Sequence, residues 1–174
     1  MAPYGQSKYC AERYVRWEHR LYDFSTVTLR YGNVFGPRQN PHGDAGVIAI
    51  FCGRALEGKA PMIFGDGTQT RDYIFVGDVV HANLLAGDHA DAAGEFNIGT
   101  EVESTILDIL EALKPHLDDP SAFEPTFEPA RLGELQRSCL DATRARTELG
   151  FQARTSLAEG IGLTFASVRE AAGA

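Results

Sequence analysis

Residues 4–21, YGQSKYCAERYVRWEHRL, place Cys10, Tyr14, Trp17 and Leu21 at helical spacing. On such a helix Tyr4 and Lys8 share a face. A phenol with a pKa of about 10 is a weak base near neutrality. A neighbouring ammonium and a position in the first helical turn both favour its ionised form. A tyrosine so placed can take a proton from a sugar hydroxyl. On spacing alone, a chance Tyr-x-x-x-Lys is the plainer explanation, so the weight falls on the motifs farther along the chain.

STVTLRY (25–31) is β-branched and predicts a strand, and GNVFGPRQNPHGDAG (32–46) predicts a long loop. VIAIFCGRALEG (47–58) reads as a helix. Short strands PMIFG (61–65) and DYIFV (72–76) flank the turn GDGTQTR (65–71), which reads as a hairpin. GDVVHANLLAG (77–87) predicts a helix, FNIG (96–99) a strand, and STILDILEALKPHL (104–117) a helix with Ser104 as N-cap. The proline-bearing stretch 118–133 reads as an edge segment plus loop. DATRARTELGF (141–151) is a short helix ended by Gly150, and 156–172 a last helix with Leu157, Ile161, Phe165 and Val168 along one face. The class is α/β. No Gly-x-Gly-x-x-Gly follows a strand, so the chain carries no dinucleotide fingerprint.

The chain's 174 residues suit one well-packed domain, and a net charge of −8 argues against a protein that coats nucleic acid. Cys10, Cys52 and Cys139 are far apart and odd in number, which indicates neither a disulfide framework nor a zinc site. The histidines lack metal-ligand spacing and read as surface residues. No apolar run reaches the length of a membrane span, and the start is not a signal peptide. A soluble, cytoplasmic protein without membrane or nucleic-acid partners is expected.

Taken in order, PYGQSKYCAE (3–12), RYGNVFGPRQ (30–39), GDGTQTRDYIFVGDVV (65–80), FNIGT (96–100) and ARLGELQRSCLDATRARTELGF (130–151) resemble the extended short-chain dehydrogenase/reductase family. The likeness is to its NAD-dependent nucleotide-sugar epimerases and dehydratases, nearest to the 4-epimerases of UDP-hexoses. It implies a Rossmann-type fold of which this chain is the C-terminal half, without the N-terminal dinucleotide-binding βαβ units. Residues 1–31 would be the catalytic helix and following strand, continuing into a nucleotide-sugar-binding region, 32–174.

The resemblance also implies roles. Tyr4 matches the catalytic base, Lys8 the residue that binds the nicotinamide ribose and activates the tyrosine, and Tyr31 a position beside the nicotinamide. Asn33 and the helix start at Gly46 and Val47 match diphosphate contacts, Phe64 an aromatic near the uracil, and Arg71 and Arg131 the arginines on the diphosphate. Glu134 aligns with an acidic residue near the ribose. Ser138 matches a position whose small size admits N-acetylated sugars. The implied cofactor is NAD, the implied partners a UDP-sugar and a second copy in a homodimer, domain-swapped or not. A dehydratase or decarboxylase of the same fold, or a non-catalytic nucleotide-sugar-binding module, are the alternatives. The chain by itself is expected to purify without NAD and to show no epimerase activity.

The arginines have a separate, weaker argument. A diphosphate needs planar, multiply donating cations, and Arg71 and Arg131 lie in turn or loop positions where ligand contacts concentrate. A salt-bridged surface arginine is the plain reading without the family context.

Overall fold

A computed structural model describes residues 3–23, 25–42 and 46–173. Helix α1 (Pro3–Tyr22) opens on a proline, which suits the first helical position, and carries His19 and Arg20 in its last turn, where they complement the helix dipole. It ends where Asp23 turns into the left-handed region, with φ 51°.

Strand β1 (Val27–Tyr31) pairs in parallel with β6 (Gly94–Ile98), and β2 (Asn33–Phe35) pairs in parallel with β5 (Tyr73–Phe75). The stretch 32–46 is therefore not all loop, and its residues 43–45 lie outside the described ones. After α2 (Val47–Leu56), β3 (Met62–Phe64) pairs in parallel with β8 (Thr126–Glu128). The two-residue strand β4 (Thr70–Arg71) pairs antiparallel with β7 (Ser104–Thr105). So the strands around GDGTQTR do not form a hairpin. Each finds its partner in a distant segment, and the turn with Gly65 and Gly67 at φ 79° carries the chain from one sheet to another.

β5 runs directly into α3 (Val76–Asp88), and β7 into α4 (Ile106–Leu113), which tightens into a 3₁₀ turn at Lys114–His116. The expected N-cap Ser104 is instead buried in β7. Thr105 caps α4, its hydroxyl accepting from the Asp108 N–H while the Asp108 carboxylate accepts from the Thr105 N–H, a capping box. Helices α5 (Thr143–Leu149), closed by left-handed Gly150 as expected, and α6 (Leu157–Ala172), capped by Ser156, complete the chain.

Two apolar clusters hold the body together. One joins α2, α4 and α6 through Phe51, Cys52, Ile109, Leu113, Ile161 and Phe165. Leu157 and Val168 pack on its margin, so the predicted face of α6 is the buried one. The other seats Phe96 and Ile98 of β6 and Ile74 of β5 between Val79 and Ala82 of α3 and Ala145 and Leu149 of α5. Burial pushes the Cys52 thiol up to about 12, which makes it an inert core residue. Among the described residues no helix is long and apolar enough to cross a membrane, and no group of His, Cys, Asp or Glu is placed to hold a metal.

Candidate functional site

Asp72 shows why the sequence motifs keep company. Its carboxylate is buried and accepts from the Thr100 N–H at 2.8 Å, the Thr100 hydroxyl at 2.7 Å and the Leu140 N–H at 3.3 Å. A side chain at Gly99 would collide with that carboxylate, and a Cβ at Gly32 would lie 2.7 Å from the Asp72 carbonyl oxygen. The glycines of RYGN and FNIG are thus the residues that let RDY close against both neighbours. A buried carboxylate without such donors would be costly; with them it pins residues 100–101 and 139–140 beside Arg71, while the Asp72 backbone carbonyl holds Asn33.

Beside this junction lies a pocket of about 280 Å³, with Val47, Phe64, Gln69, Arg131 and Glu134 among its lining residues. Four of the candidate substrate residues therefore meet there. Val47 opens α2, whose N-cap Gly46 offers no side-chain hydrogen bond and whose first turn holds no acidic residue. The contrast with α3 and α4 is chemical. Asp78 at the start of α3 is buried and accepts from the backbone N–H groups of Arg154 and Thr155, each at 3.1 Å, while Asp108 closes the box on α4. Asp108 thus serves the start of α4 directly and Asp78 puts a negative charge in the first turn of α3; among the described residues no carboxylate does either at the start of α2, which suits an anion.

The opposite wall is a cation on an aromatic ring. The Arg131 guanidinium lies 4.0 Å from the centroid of the Phe64 ring. A turn with Gly133 at φ 80° and the Glu134 N–H donating to the Arg131 carbonyl at 3.3 Å brings Arg131 and Glu134 to the same rim. Arg71 reaches that rim from β4: its guanidinium donates to the Leu135 carbonyl at 2.7 Å, the Thr70 carbonyl at 2.8 Å and Glu134 Oε1 at 3.3 Å. Ser138 follows, its N–H bonded to the Thr70 carbonyl at 3.2 Å. The far end of this segment is anchored where Arg137 grips Glu103 with two hydrogen bonds of 3.0 and 2.5 Å and the Thr70 hydroxyl adds a third of 2.7 Å. These bonds hold the Glu103 carboxyl down at about 2. Burial pushes the neighbouring Tyr73 phenol up to about 12, so it stays protonated.

Gln69 and Arg54 are polar pocket residues that sequence reading missed, and Gln69 ties the pocket together. It is buried and donates to the Phe64 carbonyl at 3.0 Å, tying the turn to the strand that carries the aromatic wall. A polar residue between two short strands was the available signal.

The other candidates stand apart. Tyr4 and Lys8 do share a face of α1, with the ammonium 5.3 Å from the phenol ring centroid, but Tyr4 is 73% exposed and neither residue lines the pocket. Tyr31 hydrogen-bonds Asn83 at 3.1 Å and borders a separate hollow of about 460 Å³ with Val27 and Leu29. Asn33 is exposed on β2, its N–H bonded to the Asp72 carbonyl at 2.6 Å. For NAD, the residues present fit the nicotinamide end alone. β5 and β7 run directly into α3 and α4 without the glycine-rich turn that cradles a dinucleotide's pyrophosphate.

Comparison with known proteins identifies the fold and the family. A UDP-glucose 4-epimerase of Mycolicibacterium smegmatis is 47% identical over 163 residues, covering 94% of this chain and 51% of that protein. The crystal structure of a Thermotoga maritima UDP-glucose 4-epimerase with UDP-glucose matches 99% of this chain and 55% of its own at a TM-score of 0.90 and 43% identity. That of a Thermus thermophilus UDP-glucose 4-epimerase complex with NAD matches 98% of this chain and 55% of its own at 0.85 and 37%. The chain thus spans about half the length of the relatives it matches, and its fold is the corresponding part of the Rossmann-type epimerase fold. With residues 1–99, from α1 through β6, matching that family's own pattern, the chain belongs to the NAD dependent epimerase/dehydratase family.

Proposed function

We propose that the chain is the nucleotide-sugar-binding part of a 4-epimerase of the UDP-glucose/UDP-galactose type, and that the pocket beside α2 receives the UDP moiety. The supporting observation is the convergence of the α2 start, uncapped among the described residues, the Phe64–Arg131 stack and Arg71 around one rim. At about 280 Å³ the pocket is at the small end of ligand sites. It suits the nucleoside end, with Phe64 beside the base and Glu134 near the ribose. The diphosphate then runs along the rim past Arg131, Arg71, Asn33 and the amides at Gly46 and Val47.

Tyr4 takes and returns the proton of the sugar hydroxyl, and Lys8, on the same face of α1, holds the nicotinamide ribose. Tyr31 borders the nicotinamide. NAD, when bound, supplies the hydride-accepting chemistry; the chain's own residues position the sugar and move the proton. The exposed Tyr14, Trp17 and Leu21 of α1 support a homodimer contact, with apolar surface worth roughly 25 cal/mol per Å² when covered.

Calorimetry with UDP and with uridine tests the assignment. UDP is expected to bind more tightly, and Arg71→Ala to weaken it by roughly 1.5–3 kcal/mol, the range for a hydrogen bond to a charged group. Equal affinity for UDP and uridine would remove the diphosphate site. The small Ser138 is expected to let UDP-N-acetylglucosamine bind within a few-fold of UDP-glucose, and Ser138→Tyr to disfavour the acetylated sugar by about tenfold, one or two methylenes' worth of steric discrimination.

A further inference from the structure

Glu12 stands midway between two cations of its own helix. Lys8 lies four residues before it and Arg16 four residues after, the spacing at which opposite charges meet on a helix surface. Among the described residues neither is its hydrogen-bond partner. Arg30 of β1 takes both carboxylate oxygens instead, Nε donating to Oε2 at 2.7 Å and a terminal nitrogen to Oε1 at 2.6 Å, the two-bond grip that suits a guanidinium to a carboxylate. Arg16 is held by Glu95 of β6. Lys8 is left to Tyr4, four residues on its other side, with the ammonium 5.3 Å from the ring centroid.

Lys8 therefore has two neighbours at equal spacing, the Tyr4 ring and the Glu12 carboxylate. Lysine before glutamate is the weaker order for an ion pair on a helix, and between exposed residues it would barely compete with the ring. Burial changes that balance. The Glu12 side chain is 9% exposed, and a carboxylate so far withdrawn from water needs another donor once Arg30 is gone. With Arg16 committed to Glu95, Lys8 is the cation at helical spacing that no carboxylate holds.

We propose that Arg30 is a positioning residue: by occupying both oxygens of Glu12 it keeps Lys8 for Tyr4. The inference rests on the reading of Tyr4 and Lys8 as the proton-moving and ribose-holding pair. Arg30 acts on that pair through Glu12. It immediately precedes Tyr31, so β1 carries both the residue assigned beside the nicotinamide and the group that frees the lysine. A pair that only fastened α1 to the sheet would be lost equally by removing either partner. A sequestering pair is not symmetric, because losing Arg30 releases a competitor for Lys8 and losing Glu12 removes it.

The test reads the position of Lys8 by NMR in the 174-residue chain without ligand. An ammonium over a phenol ring carries its ε-methylene protons into the ring's shielding region, so their shift relative to a Tyr4→Leu chain measures the contact. Glu12→Gln is expected to keep that shift, Arg30→Gln to reduce it about twofold or more, and the double variant Arg30→Gln/Glu12→Gln to recover it. The Cα shifts of α1 report that the helix is formed in each. Should Arg30→Gln unravel α1, Arg30→Lys, which keeps the charge without the two-bond grip, takes its place, with a smaller loss of the same sign expected. Equal losses in Glu12→Gln and Arg30→Gln, an unchanged shift in the Arg30 variant, or a double variant that does not recover overturns the proposal. Because no ligand enters the readout, a failed UDP titration defeats the functional reading above without moving this result.

Discussion

Helix α1 and the pocket wall built on α2 differ in what holds them. α2 buries Ile48, Ala49, Phe51, Cys52 and Gly53 against α4 and α6. α1 is twice as long at 20 residues against 10, yet its single buried residue is Glu12, and none of its apolar side chains joins either cluster. Ion pairs tie it to the body, Glu12 to Arg30 with hydrogen bonds of 2.7 and 2.6 Å and Arg16 to Glu95. Packing fixes α2, whose start is assigned to the diphosphate; charge pairs help to fix the helix that carries Tyr4 and Lys8. The first kind of attachment resists local opening, and the second leaves the element near the low-stability end of the molecule.

The largest expected effect tests the packed side. Phe51→Ala removes a ring that is 1% exposed at the α2–α4–α6 junction and should cost about 3–5 kcal/mol in urea denaturation. Trp17→Ala on α1, where the indole is 54% exposed, should stay within about 0.5 kcal/mol in the dilute monomer. Similar losses at both positions would mean that α1 is packed after all.

The next effect concerns the ionic side. Glu12→Ala strips Arg30 of its partner and takes away the one buried side chain of α1. Because Arg30 remains about half exposed, solvent takes over part of the lost interaction, and the expected change is about 1–2 kcal/mol. It should appear as faster amide exchange across α1, roughly 5- to 30-fold, with the cooperative unfolding of the body little changed. Loss of the main transition together with α1 protection would show the two regions to be one unit.

The same contrast explains what was legible in the sequence. The amphipathic period of 157–168, the left-handed stop at Gly150 and the β-branched run before Tyr31 are local signals, and each names its element. The pairing of β3 with β8 and of β2 with β5 is non-local, so GDGTQTR, with a strand on each side, looks like a hairpin until the distant partners are known. Ser104 looks like a cap because a Ser-Thr pair precedes an apolar run. Only the position of Asp108, three residues beyond Thr105 and four beyond Ser104, separates the two. In the site, the arginines are readable as cations in turns, but the pairing of Arg71 with Glu134 depends on a turn closing over residues more than sixty positions apart in sequence. Gln69 escapes sequence reading for the same reason, since its tie to Phe64 exists only once the turn has folded.

The smallest expected effect sharpens the comparison from the side of acid. α1 and the 131–138 segment are both tied down by a glutamate under a guanidinium, whereas α2 is held by its apolar face. The hydrogen bond from Arg16 holds the Glu95 carboxyl below its usual range, and those from Arg137 and Thr70 hold Glu103 at about 2 against an ordinary 4.5. A carboxyl whose folded value lies below its unfolded one binds fewer protons when folded. Its contribution is therefore complete above the unfolded value and is lost as pH falls from about 4.5 toward 2. Nothing is expected to change between pH 5 and 7 from this source. Following the Glu103 carboxyl carbon by NMR should give a midpoint near 2, and Arg137→Ala should move it back toward that of an ordinary glutamate. Since Glu103 sits at the surface, the loosening should be confined to the segment it anchors, read as broadening of the 131–138 amides before the α2 and α6 signals move. A midpoint above 4 would mean that the Arg137 grip does not persist in solution and that the rim carrying Glu134 is held by Arg71 and the backbone alone.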